Sequence, residues 1–209
     1  MAKNPSMTVP FVNQGGKESV IGRPGRSIPM TLLGDRIGTA TSKEKVTAPR
    51  LYARLTASPF KARPFMENAV ISAITNSINA TANIPDADAI KFKNGDNCNF
   101  YDVSANGLAG ESLPINTVGA AGSGGAGLTL ITFTGVFGTP PIANDFMVVA
   151  DGSELSKNAV VVLEEIEYDG STEFQTPGFI DGAYNKAEVE NVSRFDATKN
   201  SAIELIDMP

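Results

Sequence analysis

Glu164, Glu165, Glu167 and Asp169 form the densest acidic run in this 209-residue chain, with smaller groups at Asp86/Asp88 and Asp151/Glu154. Clustered carboxylates are what hard cations take as ligands, and a carboxylate pair is what glycoside hydrolysis uses. On an alternating strand Glu165 and Glu167 share a face with Leu163, while Glu164 and Ile166 point the other way, so the run does not converge on one point. A solvated strand end is therefore the expectation, ahead of a metal or catalytic site. Gly122-Ser123-Gly124-Gly125-Ala126-Gly127 has dinucleotide-loop spacing, but Leu128-Thr129-Leu130-Ile131-Thr132-Phe133 follows it and reads as a strand, where that chemistry needs a helix N-terminus. Gly119 and Gly124 have P-loop spacing, yet Gly125 and Ala126 stand where Lys and Ser/Thr are required. A flexible loop is expected there. The chain has no histidine, which excludes His-based triads and metal sites, and its one cysteine, Cys98, allows no intrachain disulfide. No enzyme activity, cofactor or metal is expected.

The elements that would position these groups are divided by charge. Residues 1–64 carry eleven Lys/Arg against Glu18, Asp35 and Glu44, about +8; residues 65–209 carry six basic residues against twenty acids, about −14. Such a division marks a cationic arm that lies on something negative. No apolar run is long enough to span a bilayer and the N-terminus lacks a secretory h-region, so a soluble protein made in the cytoplasm is expected, with no membrane partner.

Residues 1–62 show neither helical nor strand periodicity and are broken by Pro5, Pro10, Pro24, Pro29, Pro49 and Pro59 and by six glycines. Such a segment buries too little apolar surface alone to offset ordering of about 1–2 kcal/mol per residue, so an extended strap that orders on another surface is expected. Its candidate contact residues are Phe11, Val12, Arg23, Arg26, Ile28, Met30, Leu32, Leu33, Arg36, Arg50, Leu51, Tyr52 and Arg54. The basic residues are spread out, aromatic stacking partners are few, and the acidic remainder would repel a polyanion. An acidic protein surface is thus favoured over nucleic acid, with arginine supplying planar, multi-donor contacts.

Residues 63–83 form the second segment, with a helix predicted over 64–80: Pro64 suits its first position, and Phe65, Met66, Ala69, Val70, Ala73, Ile74, Ser77 and Ile78 keep one face apolar or small. From 84 to 209 the chain reads as β, with strands expected at 89–92, 99–103, 128–133, 146–150, 159–168 and 202–206. Asn94-Gly95, Asn106-Gly107, Asp151-Gly152 and Asp169-Gly170 supply turn signals. A short helix over 186–192, capped by Asn185 with Glu188, is predicted near the end. The expected class is mainly β: a small barrel or sandwich with one or two short helices and a long extended N-terminal arm.

The segments Ala159-Val160-Val161-Val162-Leu163, Thr176-Pro177-Gly178-Phe179-Ile180, Asn185-Lys186-Ala187-Glu188-Val189 and Asp196 through Ile206 together resemble the closing half of lambda-type phage head decoration (capsid cement) proteins. In that family a strand leads to a glycine-aromatic turn, a short helix, and a final strand preceded by a polar Asp/Lys stretch, and a Pro/Gly-rich N-terminal arm docks on the capsid. The resemblance covers the closing part of the chain and the character of the arm. It implies a β-tulip-like body and a structural virion protein on the outer surface of the head. There it would bind the major capsid protein through the arm residues named above and associate with itself as a trimer or dimer. Other readings remain: a tail or head-to-tail connector component, a carboxylate-dependent glycan hydrolase using Glu165 and Glu167, or a glycan-binding module using exposed tips within 105–127.

Overall fold

The computed structural model describes residues 21–207 except 24, 39, 47, 48, 67, 110, 172, 188, 190 and 191. The strands among them run β1 (Ile21–Arg23), β2 (Ser27–Leu33), β3 (Glu44–Val46), β4 (Arg50–Arg54), β5 (Lys61–Pro64) and β6 (Asn68–Val70). Next come β7 (Ala73–Asn76), β8 (Ala80–Pro85), β9 (Asn97–Asp102), β10 (Gly107–Leu108), β11 (Leu113–Val118) and β12 (Leu128–Phe133). The chain closes with β13 (Phe146–Val149), β14 (Ala159–Val162), β15 (Ile166–Tyr168), β16 (Glu173–Phe179), β17 (Gly182–Asn185) and β18 (Ile203–Ile206). Two short 3-10 turns, Asp86–Lys91 and Ser156–Asn158, are the helical pieces. The protein is mainly β, as its composition and turn signals imply.

Five strands close into a barrel in the order β14-β16-β2-β5-β4. The extended strap expected over residues 1–62 is therefore corrected from Ser27 onward: β2, β4 and β5 supply three of the five staves. Ile28, Met30 and Leu32 have the period of a strand, with Met30 and Leu32 buried in the lumen beside Tyr52, Val160, Val162 and Tyr168. Pro29 conceals this pattern, since proline ordinarily breaks a ladder. Here it stands opposite Pro177, and two residues without N–H groups can face each other only as a non-hydrogen-bonded pair, so no bond is lost at that position. Gly178 makes the lumen possible: a Cβ there would lie 2.6 Å from Met30 Cγ.

The wall strands are apolar on both sides because both sides are covered. On β4, Tyr52 points into the lumen, whereas Leu51 and Ala53 join a second cluster with Phe65, Val148, Tyr184 and Ile203; on β14, Val160 and Val162 point in and Ala159 and Val161 out. That second cluster ties the barrel to a larger sheet of order β6-β13-β9-β11-β12-β8-β7, with β10 on the edge of β9, and to a three-stranded sheet β1-β17-β18. Each large side chain buried in this way contributes about 1.5–3 kcal/mol. The larger sheet has its own core, where Phe100, Phe133 and Phe137 meet edge to face at centroid distances of 4.5–6.0 Å.

The helix predicted over 64–80 does not form: its residues are shared among the end of β5, β6, β7 and the start of β8. Val70, Ile71, Ile74, Thr75 and Ile78 are β-branched, stiff at χ1 and better suited to a pleated surface, and Asn76 and Asn79 serve turns. Met66, in left-handed backbone at φ 56°, stops any helix two residues after Pro64. The helix predicted over 186–192 is likewise corrected: residues 186 and 187 are turn and 189 is bend, held by Asn185 Oδ1 accepting from Ala187 N at 3.1 Å and by one bond from Val189 N to Asn185 O. A single turn does not meet the nucleation cost of a helix. The strand expected at 89–92 is the 3-10 turn Asp86–Lys91 followed by Phe92, and the run 159–168 divides into β14 and β15.

Candidate assembly surface and the ion-pair junction

Arg26, Arg36, Lys43, Lys45, Lys61 and Arg63, all within the first 64 positions, face acids of the same chain. Arg36 donates from Nη1 to Asp96 Oδ2 at 2.5 Å, from Nη2 to Asp96 Oδ1 at 2.7 Å, and again from Nη1 to the Lys91 carbonyl at 2.8 Å. Arg63 holds Asp35 through Nη1 and Asp151 through Nε at 3.1 Å, while Lys93 Nζ reaches Asp35 at 2.6 Å. These groups connect the barrel with the β9 end and the β13–β14 loop of the larger sheet. Farther out, Arg26 pairs with Asp181 at 2.7 Å, Lys61 with Glu173 at 3.1 Å, Lys43 with Glu167 at 3.0 Å and Lys45 with Glu165 at 2.6 Å. The outer pairs are solvent-exposed and screened by water, so they contribute little to stability. Arg36 and Asp96 differ, with side chains only 11% and 15% exposed. The charge division read from the sequence is, in good part, an intramolecular one.

Burial also limits which candidate contact residues can meet a partner. Met30, Leu32, Leu33, Leu51 and Tyr52 are buried in the fold, and Ile28 packs half-buried against the barrel core. Arg36 is spent in the junction. Arg50 and Arg54 lie half-buried at the two ends of β4, opposite Val162 and Ala62. Arg23 lies in β1, in register with Ala183, and Arg26 is exposed. Phe11 and Val12 lie outside the described residues. A single partner-binding arm is thus not what joins these thirteen positions; most of them build the barrel.

Other features of the sequence resolve into supporting structure. Glu165 and Glu167 are exposed on either side of buried Ile166 and paired with Lys45 and Lys43, as a solvated strand end requires. The loop 119–127 is a bonded hairpin tip between β11 and β12. Asp86 Oδ1 accepts from Gly122 N at 3.0 Å and Thr129 Oγ1 at 2.7 Å, and Ser123 Oγ accepts from Leu130 N at 2.9 Å. Cys98 is buried in the larger sheet, and burial pushes its thiol far above the usual range.

Among the described residues, four of the exposed large apolar side chains lie in two pairs at loop tips. Ile78 is 91% exposed at the β7–β8 turn, and Val136 follows Gly135, whose carbonyl accepts from Ala80 N at 2.7 Å, so the two tips adjoin. Val103 and Ile142 form a second exposed pair: buried Asp145 accepts from the backbone N–H of each, at 3.1 and 2.9 Å. Neither pair was singled out by sequence patterning, since single apolar residues in turns carry no period. Comparison with protein-family models, curated proteins and solved structures finds no match for this chain.

Proposed function

We propose that this chain is a structural virion protein that binds the outside of an expanded phage head and cements neighbouring major capsid protein subunits against internal pressure. The observation that carries this reading is the sequence resemblance of the closing segments, together with the strands at its two ends, β14 and β18. Between them Gly178-Phe179 end strand β16, and a turn at residues 186 and 187 with a bend at 189 stands where the family has its short helix. β1 pairs with β17 inside this same region, so Ile21, which follows residues 1–20 in the sequence, lies beside it.

The docking element is thereby shortened. It consists of the leader, which carries Phe11 and Val12 with Lys3 and Lys17, together with exposed Arg26 and the apolar tips at Ile78/Val136 and Val103/Ile142. The self-buried positions serve by holding the barrel rigid. Copies associate with one another as dimers or trimers on the shell, and many weak attachments on a closed lattice resist opening together.

Deleting residues 1–62 would remove β2, β4 and half of β5 from the barrel and so would test folding. The informative variant lacks residues 1–20. Co-sedimentation with expanded shells that lack the protein should show saturable binding of the full chain and binding about tenfold or more weaker for the variant, at an unchanged urea midpoint. Undiminished binding of that variant would remove the leader from the docking element, and no binding of the full chain would reject the capsid reading.

A further inference from the structure

An open groove of about 500 Å³ lies where the 106–108 turn, the 154–156 segment and the 193–199 turn meet. Its size is within the range of small-molecule sites. One wall is Arg194, whose Cζ sits 3.7 Å from the centroid of the Phe146 ring and 5.3 Å from that of Tyr101. The rings occupy the face of the guanidinium and leave its N–H edge to bond in the plane. Among the described residues no carboxylate pairs with Arg194. A half-buried cation held by two aromatic rings on the wall of a groove, with no carboxylate of the described residues in an ion pair with it, has its N–H edge open to an anion.

The rest of the lining restricts what that anion is. Asp196 and Glu154 also face the groove, as does Lys199, so two acids stand with two cations, and a dianion such as phosphate meets more repulsion from the acids than a single carboxylate on Arg194 does. Asp196 is already turned toward Thr198, accepting from its N at 3.0 Å and its Oγ1 at 2.6 Å. Ser156 Oγ accepts from Asp196 N at 3.0 Å, which leaves its own O–H to donate, and Ser193 adds an exposed hydroxyl. Between these polar groups lie the apolar surfaces of Leu108 and Phe195, with Met66 buried beneath them. Met66 is held in left-handed backbone, its N–H on Ser153 O at 3.1 Å and its carbonyl on Asn68 Nδ2 at 2.6 Å. Strained non-glycine backbone of this kind concentrates at binding sites.

We infer that this groove binds a carboxylated saccharide. Arg194 takes the carboxylate through its N–H edge. The Ser156 and Ser193 hydroxyls and the Glu154 and Asp196 carboxyl oxygens take ring hydroxyls, and Leu108 and Phe195 lie against the C–H face of the sugar. The inference is independent of capsid binding, because it concerns the isolated chain.

Calorimetric or NMR titration of the full chain with D-glucuronate and N-acetylneuraminate, against D-glucose and inorganic phosphate, tests it. The acidic sugars should bind saturably, with glucose about tenfold weaker and Arg194→Gln weakening the acidic sugars about tenfold or more. Arg194→Lys should restore only part of that loss, since a point charge lacks the planar fork. Because Arg194 also packs on two rings, Ser193→Glu supplies a second variant: it places a repelling charge in the groove at an exposed position and should weaken binding without moving the urea midpoint. Tighter binding of phosphate than of either acidic sugar, absence of saturable sugar binding, or equal affinity in both variants would overturn the inference.

Discussion

Arg36 and Asp96 form a two-bond guanidinium–carboxylate pair, 2.5 and 2.7 Å, across the junction between the barrel and the larger sheet. Arg36 follows β2 in the turn that leaves the barrel, and Asp96 precedes β9. A third bond, to the Lys91 carbonyl, fixes the same arginine to the 3-10 turn between β8 and β9 of the larger sheet. The pair is little exposed, so its Coulomb attraction is less screened than that of the outer pairs, and each charge depends on the other for compensation.

Removing one member should cost more than removing both. Arg36→Met is expected to destabilise the protein by about 3 kcal/mol, because it leaves Asp96 without its guanidinium, and Asp96→Asn by a similar amount. The double variant should lose less than the sum, with a coupling of about 1.5 kcal/mol in a double-mutant cycle read by urea unfolding. Additive losses would show that the two residues stabilise through separate contacts.

Acid should weaken the same junction through Asp35. Burial pushes this carboxyl up, but hydrogen bonds and charge from Arg63 and Lys93 outweigh burial and hold it at about 2. A carboxylate with a folded value below its unfolded value of about 3.9 adds stability above that unfolded value and loses it as pH falls toward the folded one. The urea midpoint should therefore fall between about pH 5 and pH 2, and Asp35→Asn should flatten that limb while lowering stability near neutrality. An unchanged acid limb in Asp35→Asn would assign the loss to other carboxylates.

The barrel lumen should resist enlargement at Gly178. A Cβ there meets Met30 Cγ at 2.6 Å and Val160 Cγ2 at 3.5 Å, so Gly178→Ala requires Met30 to move within a filled interior. The expected cost is about 1–3 kcal/mol, measured by thermal or urea unfolding. Combining it with Met30→Ala should recover part of the loss. A neutral Gly178→Ala would mean that the lumen has slack.

The exposed acids should behave otherwise. Glu165 and Glu167 pair with Lys45 and Lys43 at the surface, where ion pairs contribute little. Glu165→Gln and Glu167→Gln together should shift stability by less than about 1 kcal/mol. They should also leave virion-associated glycan hydrolysis, assayed in parallel, unaltered. Loss of such hydrolysis in the double variant would favour the carboxylate-dependent hydrolase reading instead.

Strand patterning was readable where a strand has one dominant face and turn residues at its ends. Leu128–Phe133 coincides with β12, and Phe146 and Ile203 open or lie in strands expected at those positions. The first third of the chain was not readable in the same way. Its strands are short, carry Pro29 and Pro64, and are apolar on both faces where the barrel wall is covered inside and out, so Leu51-Tyr52-Ala53 looks like isolated anchors on a strap. Closure of a barrel is non-local: β2 is completed by β16, whose register pairs Met30 with Thr176, and no local pattern reports a partner so distant in sequence. The false helix at 64–80 arose because small residues at Ala69 and Ala73 imitate a helical face, while the β-branched content of the same stretch points to strands. The groove around Arg194 combines four separate segments and left no linear signature.

The decisive measurement is an electron cryomicroscopy reconstruction of expanded heads assembled with this protein. Decoration requires density for the closed barrel on the outer surface at every equivalent lattice position, on the order of hundreds of copies, with the leader lying across a joint between capsid subunits. A single ring of copies at one vertex, or shells that assemble and withstand pressure without the protein on their surface, would contradict it.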